Sequence, residues 1–147
     1  MARTTLQSDV TITTTNAIVT GLSFPVLAGR TYRFKILADV TVGATADGVL
    51  INCDGPALTR LNYSTRSPLT TTTEQFTHGN NAWKNAGTSV TPGTTSPATV
   101  LCAQHVVEGT VTPSVDGTVA AWAVVEAGPT GTPAVKAGST VEYHLVK

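Results

Sequence analysis

From Tyr32 to Val42 the chain alternates between apolar and polar positions. Tyr32, Phe34, Ile36, Ala38, Val40 and Val42 form one set, while Arg33, Lys35, Asp39 and Thr41 fall in the other. Successive side chains of a strand point to opposite sides, so a period of two marks a strand with one buried face. A helix would scatter the same apolar residues around its axis. Similar reasoning predicts strands at Val49–Cys53, Leu58–Thr65, Ala98–Val111, Thr118–Glu126 and Thr140–Val146, with weaker patterns at Val10–Thr14, Ala17–Leu22 and Thr72–Thr77. Asp47-Gly48, Asp54-Gly55-Pro56 and Asp116-Gly117 lie between them, each supplying a residue that tolerates the positive φ of a tight turn. About eight or nine short strands with frequent turns predict an all-β sandwich or barrel.

Two segments break the one-face rule. In Ala98–Val111, Val100, Cys102 and Val106 lie on one face and Leu101, Val107 and Val111 on the other. In Thr118–Glu126 the faces are Ala120, Trp122, Val124 and Val119, Ala121, Ala123, Val125. An antiparallel strand at a surface is usually polar on one side. These strands are therefore expected between two layers of protein, the second layer being a neighbouring subunit or the chain's own loops. Leu101, Val107, Val111, Val119, Ala121, Ala123 and Val125 are the candidate subunit interface.

Residues 67–97 read differently, with Gly, Asn, Pro, Ser and Thr clustered around one tryptophan. Irregular segments beyond about 12 to 15 residues are usually functional or disordered, so this is read as one long loop. Trp83, with Asn80 and Asn81, forms a possible recognition site on it; alternatively the indole pins the loop to its own domain. Residues 1–15 read as an N-terminal arm or first edge strand, and 16–147 as a single domain. Val26-Leu27-Ala28-Gly29-Arg30-Thr31-Tyr32 is echoed by Val135-Lys136-Ala137-Gly138-Ser139-Thr140-Val141. Both place Ala-Gly at a turn just before a strand, one turn solution used twice.

The 147 residues fit one domain, and composition narrows the class. Threonine is the commonest residue, and 13 Gly and 8 Pro punctuate the chain, which favours strands. Only 12% of residues are charged, nine of each sign, so no basic field exists to draw in nucleic acid. A surface this poor in charge suits a protein partly covered by protein. No apolar run is long enough to span a membrane, and nothing after Arg3 resembles a secretory h-region. Cys53 and Cys102 sit in apolar segments without metal-type spacing; each reads as a small buried hydrophobe, with a disulfide as the alternative.

The search for chemistry returns little. His78, placed in the loop before Gly79, and His105 and His144, placed in strands, are dispersed. The chain carries no phosphate loop, dinucleotide fingerprint or nucleophile elbow. The expectation is a non-enzymatic protein without metal or other cofactor.

The order of segments nevertheless has a resemblance. Leu22–Val40, Ala98–Val111, Asp116–Ala127 and the closing Val135–Val146, with Ala137-Gly138-Ser139 before Val141, Tyr143 and Leu145, carry it. Together they resemble small tailed-bacteriophage structural proteins with an antiparallel two-sheet jelly-roll sandwich similar to tumour necrosis factor and complement-type globular heads. The resemblance implies a homotrimer packed by a sheet around a three-fold axis. It also implies a capsid decoration role on the virion surface, with the major capsid protein as partner and assembly in the host cytoplasm. On that reading Arg3, Thr4, Thr5, Leu6 and Gln7 of the arm are the candidate capsid contact, as a strand added to a neighbour. The long loop has no counterpart in the resemblance. It supports the alternative of a receptor- or glycan-binding module of a tail fibre or spike, because sugars stack on aromatics and bond to amides.

Overall fold

The computed structural model describes residues 1–44, 47–68, 73–80, 103–126 and 128–146. The described residues form eleven strands: β1 (Ala2–Thr5), β2 (Val10–Thr11), β3 (Ala17–Val26), β4 (Tyr32–Thr41), β5 (Val49–Asp54), β6 (Leu58–Pro68), β7 (Glu74–Asn80), β8 (Ala103–Pro113), β9 (Gly117–Val125), β10 (Ala134–Val135) and β11 (Thr140–Leu145). They make two antiparallel sheets. Eight strands run in the order β1-β11-β4-β8-β6-β7, with β10 bridging β4 to β2; the other three run β3-β9-β5. The chain winds between the sheets and joins distant segments, such as Ala2 with Tyr143 and Tyr32 with Val111. This is an all-β, two-sheet sandwich.

Strand β4 shows why the sheets stack. Tyr32, Phe34, Ile36, Ala38 and Val40 are buried, while Arg33 is exposed and Lys35, Leu37 and Asp39 are half-buried. The buried set meets Leu22, Phe24 and Val26 of β3, Ile51 and Cys53 of β5, and the inner face of β9 in one core cluster. Phe24 anchors it, stacked on Tyr143 at 4.7 Å between ring centroids and tilted against Phe34 at 5.7 Å. Such ring pairs add about 0.5–1.5 kcal/mol beyond the area they bury.

Several expectations change at this level. The strand count rises from eight or nine to eleven, because β1 and the two-residue β10 carry no apolar period and are held by backbone pairing. Strand β3 continues past Leu22 to Val26; its register against β9 shifts between Ile18 and Ser23, and such a bulge interrupts the period. The expected long loop begins as a β6–β7 hairpin, so His78 lies in a strand, opposite Ser64.

The subunit-interface expectation is overturned. Val107, Val111, Val119, Ala121, Ala123 and Val125 are all 4% exposed or less and belong to this subunit's own core. Leu101 lies outside the described residues. Both faces of β9 are apolar, and periodicity alone does not say which one turns inward. The structure turns the Val119 face in and leaves Ala120, Trp122 and Val124 on the outside.

Candidate protein-binding surfaces

Two outer sheet faces result, and their chemistry differs. On the three-stranded sheet, β9 lies in the middle. Trp122 stands between Ile18 of β3 and Asn52 of β5, Val124 beside Leu50, and Ala120 between Ser23 and Asp54. Ile18 is 49% exposed, and Trp122 and Val124 are half-buried. Asn52 is buried, its Nδ2 donating to Asn16 Oδ1 at 3.4 Å, and its own Oδ1 has no partner among the described residues. The centre of this face, at Ile18, Trp122, Val124 and Leu50, is apolar, with Asn52 buried among them and Thr20, Ser23, Thr118 and Asp54 around it.

On the eight-stranded sheet the outer face is apolar in the row Leu37, Val106 and Phe76, with Arg66 among them, and polar beyond it. Register places Arg3 of β1 beside Glu142 of β11, Glu142 beside Lys35 of β4, Lys35 beside Glu108 of β8, and Glu108 beside Ser64 of β6. The next row carries His144, Arg33, Thr110 and Asn62. Between the two rows runs a groove of about 480 Å³. Arg3 and Glu108 are exposed, Lys35 and Glu142 half-buried. Among the described residues the salt bridge present is Lys136–Asp9, remote from this ladder in the register.

No protein-family model, curated protein or solved structure matches this chain. Its surfaces therefore have to be read from their own chemistry.

The arm expected to reach a neighbour is folded onto its own subunit. Arg3, Thr4 and Thr5 pair with Glu142, Val141 and Thr140 of β11, and Leu6 exchanges backbone hydrogen bonds with Gly138 and Ser139. Leu6 is 3% exposed and sits in the core, so it is not a contact residue. Arg3 and Gln7 are exposed, Thr4 and Thr5 half-buried. Asn80 ends β7 opposite Asn62, while Asn81, Trp83 and Cys102 lie outside the described residues.

Two reactive side chains are inside the protein. Cys53 is a free, buried thiol, and burial pushes its pKa well up, which makes it inert. His105 is buried on β8 with Nδ1 3.0 Å from Ser67 Oγ and Nε2 without a partner among the described residues. Burial drops its pKa to about 4, so it is neutral at neutral pH. Among the described residues no three His, Cys, Asp or Glu side chains gather into a metal-type group.

Sequence reasoning named Trp122 as part of a two-faced strand without placing its face at the surface. The charged ladder was not found at all. Its members sit at positions 3, 35, 108 and 142, and only the register brings them together.

Proposed function

We propose that this chain is a non-enzymatic structural protein of a virus particle, a capsid decoration protein that binds major capsid subunits as a homotrimer. The two-sheet sandwich fits the resemblance of the sequence to phage structural proteins. The observation that carries the reading is the apolar outer strip of the three-stranded sheet, with Ile18, Trp122 and Val124 meeting solvent on the side away from the core. Large aromatics at the centre of such a patch supply most of the energy of a protein interface, and a surface with few charges costs little to desolvate. A protein that cements a shell needs that kind of broad, reaction-free contact, repeated so that avidity multiplies modest affinities.

The test is co-sedimentation of the purified chain with shells assembled from major capsid subunits. Wild type is expected to pellet with the shells, and Trp122→Ala to weaken binding by tenfold or more while keeping its melting profile. Binding that survives both Trp122→Ala and Ile18→Asp would overturn the assignment of this face.

A further inference from the structure

We infer that the groove on the larger sheet is a carbohydrate site, with Phe76 as its stacking ring and Asn62, Ser64 and Glu108 holding sugar hydroxyls. This is a second binding activity, on the opposite sheet from the proposed capsid contact and independent of it.

The groove crosses β11, β4, β8 and β6 on their outer side, and its volume of about 480 Å³ suits a small-molecule site. Its lining decides what can enter. Two carboxylates, Glu108 and Glu142, flank Lys35, so a polyanion would meet repulsion beside each attraction. The apolar residues of the lining are Met1, at one end, and Phe34, whose side chain belongs to the core. An apolar ligand would therefore find little to cover it.

An uncharged molecule dense in hydroxyls suits these walls. Each hydroxyl donates and accepts; the Asn62 amide and the Ser64 and Thr110 hydroxyls do both, Glu108 accepts and Arg33 donates. Arg33, Asn62 and Glu108 are exposed, and among the described residues no salt bridge occupies Arg33, Lys35, Glu108 or Glu142.

A sugar ring also presents a face of C–H bonds, and the sheet supplies an aromatic ring for it. Ser64 stands opposite His78 of β7, and Phe76 is the next residue of β7 on that side. The Phe76 and His78 rings meet at 5.7 Å between centroids, tilted by 60°. Phe76 is 57% exposed, which leaves it surface to offer beside the β6 end of the groove. From β11 to β7 the face is about 19 Å wide, room for several sugar rings in a row. All five strands belong to one hydrogen-bonded sheet, so these groups are in place before a ligand arrives.

The test screens the full chain against immobilised oligosaccharides built from neutral hexoses, N-acetylhexosamines and hexuronic acids. Saturable binding to a subset of the neutral ones is expected, and the best-bound of these is then titrated by calorimetry. Phe76→Ala and Asn62→Ala should each weaken it by about tenfold or more with the melting temperature kept. Phe76→Tyr, which restores a ring, should recover most of what Phe76→Ala loses. Glu108→Gln replaces Asn62→Ala if that variant fails to fold. Salt at 1 M, where the Debye length falls to about 3 Å, should change the affinity less than about threefold. No binding to any oligosaccharide, or an affinity that collapses in salt, would overturn the site. So would binding that survives Phe76→Ala and Asn62→Ala but is lost in Trp83→Ala, by moving the sugar to residues 81–102. None of these variants touches Trp122, so the capsid assignment stands or falls by its own test.

Discussion

Gly29 and Gly138 hold φ of +71° and +96° in two turns of the same design. Arg30 N donates to Leu27 O and Ser139 N to Lys136 O, each at 3.2 Å, which closes a four-residue turn around Ala-Gly. The alanine amide is held by a carboxylate from a distant loop in both: Ala28 N by Asp116 at 2.8 Å and Ala137 N by Asp9 at 2.9 Å. The echo between the two segments was legible because the turn needs glycine; the paired aspartates were not, since they come from elsewhere in the chain. A Cβ at either glycine would meet nothing within 4 Å, so the cost of substitution is conformational alone. Gly29→Ala and Gly138→Ala should each lower stability by about 1 kcal/mol in urea denaturation; unchanged midpoints would contradict the turn assignment. His105 gives a second test at this scale. Its folded pKa of about 4 lies below the ordinary value of 6.5, so between these the unfolded chain binds more protons than the folded one. Stability therefore rises with pH across that window and is lost as pH falls from 6.5 towards 4, by a few kcal/mol in total. His105→Gln should flatten that part of the profile.

At the scale of elements, legibility followed how cleanly each strand displays its two faces. Strand β4 alternates at every position but Leu37 and was found within a residue of its true end. Strand β3 was truncated because a bulge resets its phase, and residues 1–15 stayed open between an arm and a first edge strand because backbone pairing leaves no trace in side-chain pattern. Strand β9 shows a different difficulty: both faces are apolar, so its existence was plain while its inside and outside were exchanged. These corrections carry consequences for the arm. Because β1 completes one edge of the larger sheet and Leu6 fills part of the core, removing residues 1–8 should destabilise the fold itself. Leu6→Ala alone is expected to cost about 2–4 kcal/mol, measured by thermal or denaturant unfolding. A truncated protein that melts with the wild type would show that the edge strand contributes nothing.

For the whole molecule, the dominant fact is how far apart in sequence its neighbours lie. Strand β1 pairs with β11, β3 with β9 and β4 with β8, so most of the sheet consists of long-range contacts. Chains dominated by such pairings fold slowly, on the order of milliseconds to seconds, and stopped-flow refolding should place this one there. The surfaces divide at this scale as well: a largely apolar face with a tryptophan on the smaller sheet, and a row of alternating charges on the larger. Neither was legible as a surface in the sequence, because a surface is defined by which segments the winding brings side by side.

The pairing of Ala2 with Tyr143 also sets a timetable for biosynthesis. As a ribosome delivers the chain from its N-terminus, β1 emerges first and has no mate until nearly the last residues of β11 are made. Strands β3 and β4 likewise wait for β9 and β8. The sandwich cannot close piecemeal during translation, and until β11 has been made its strand edges stay open to other nascent chains.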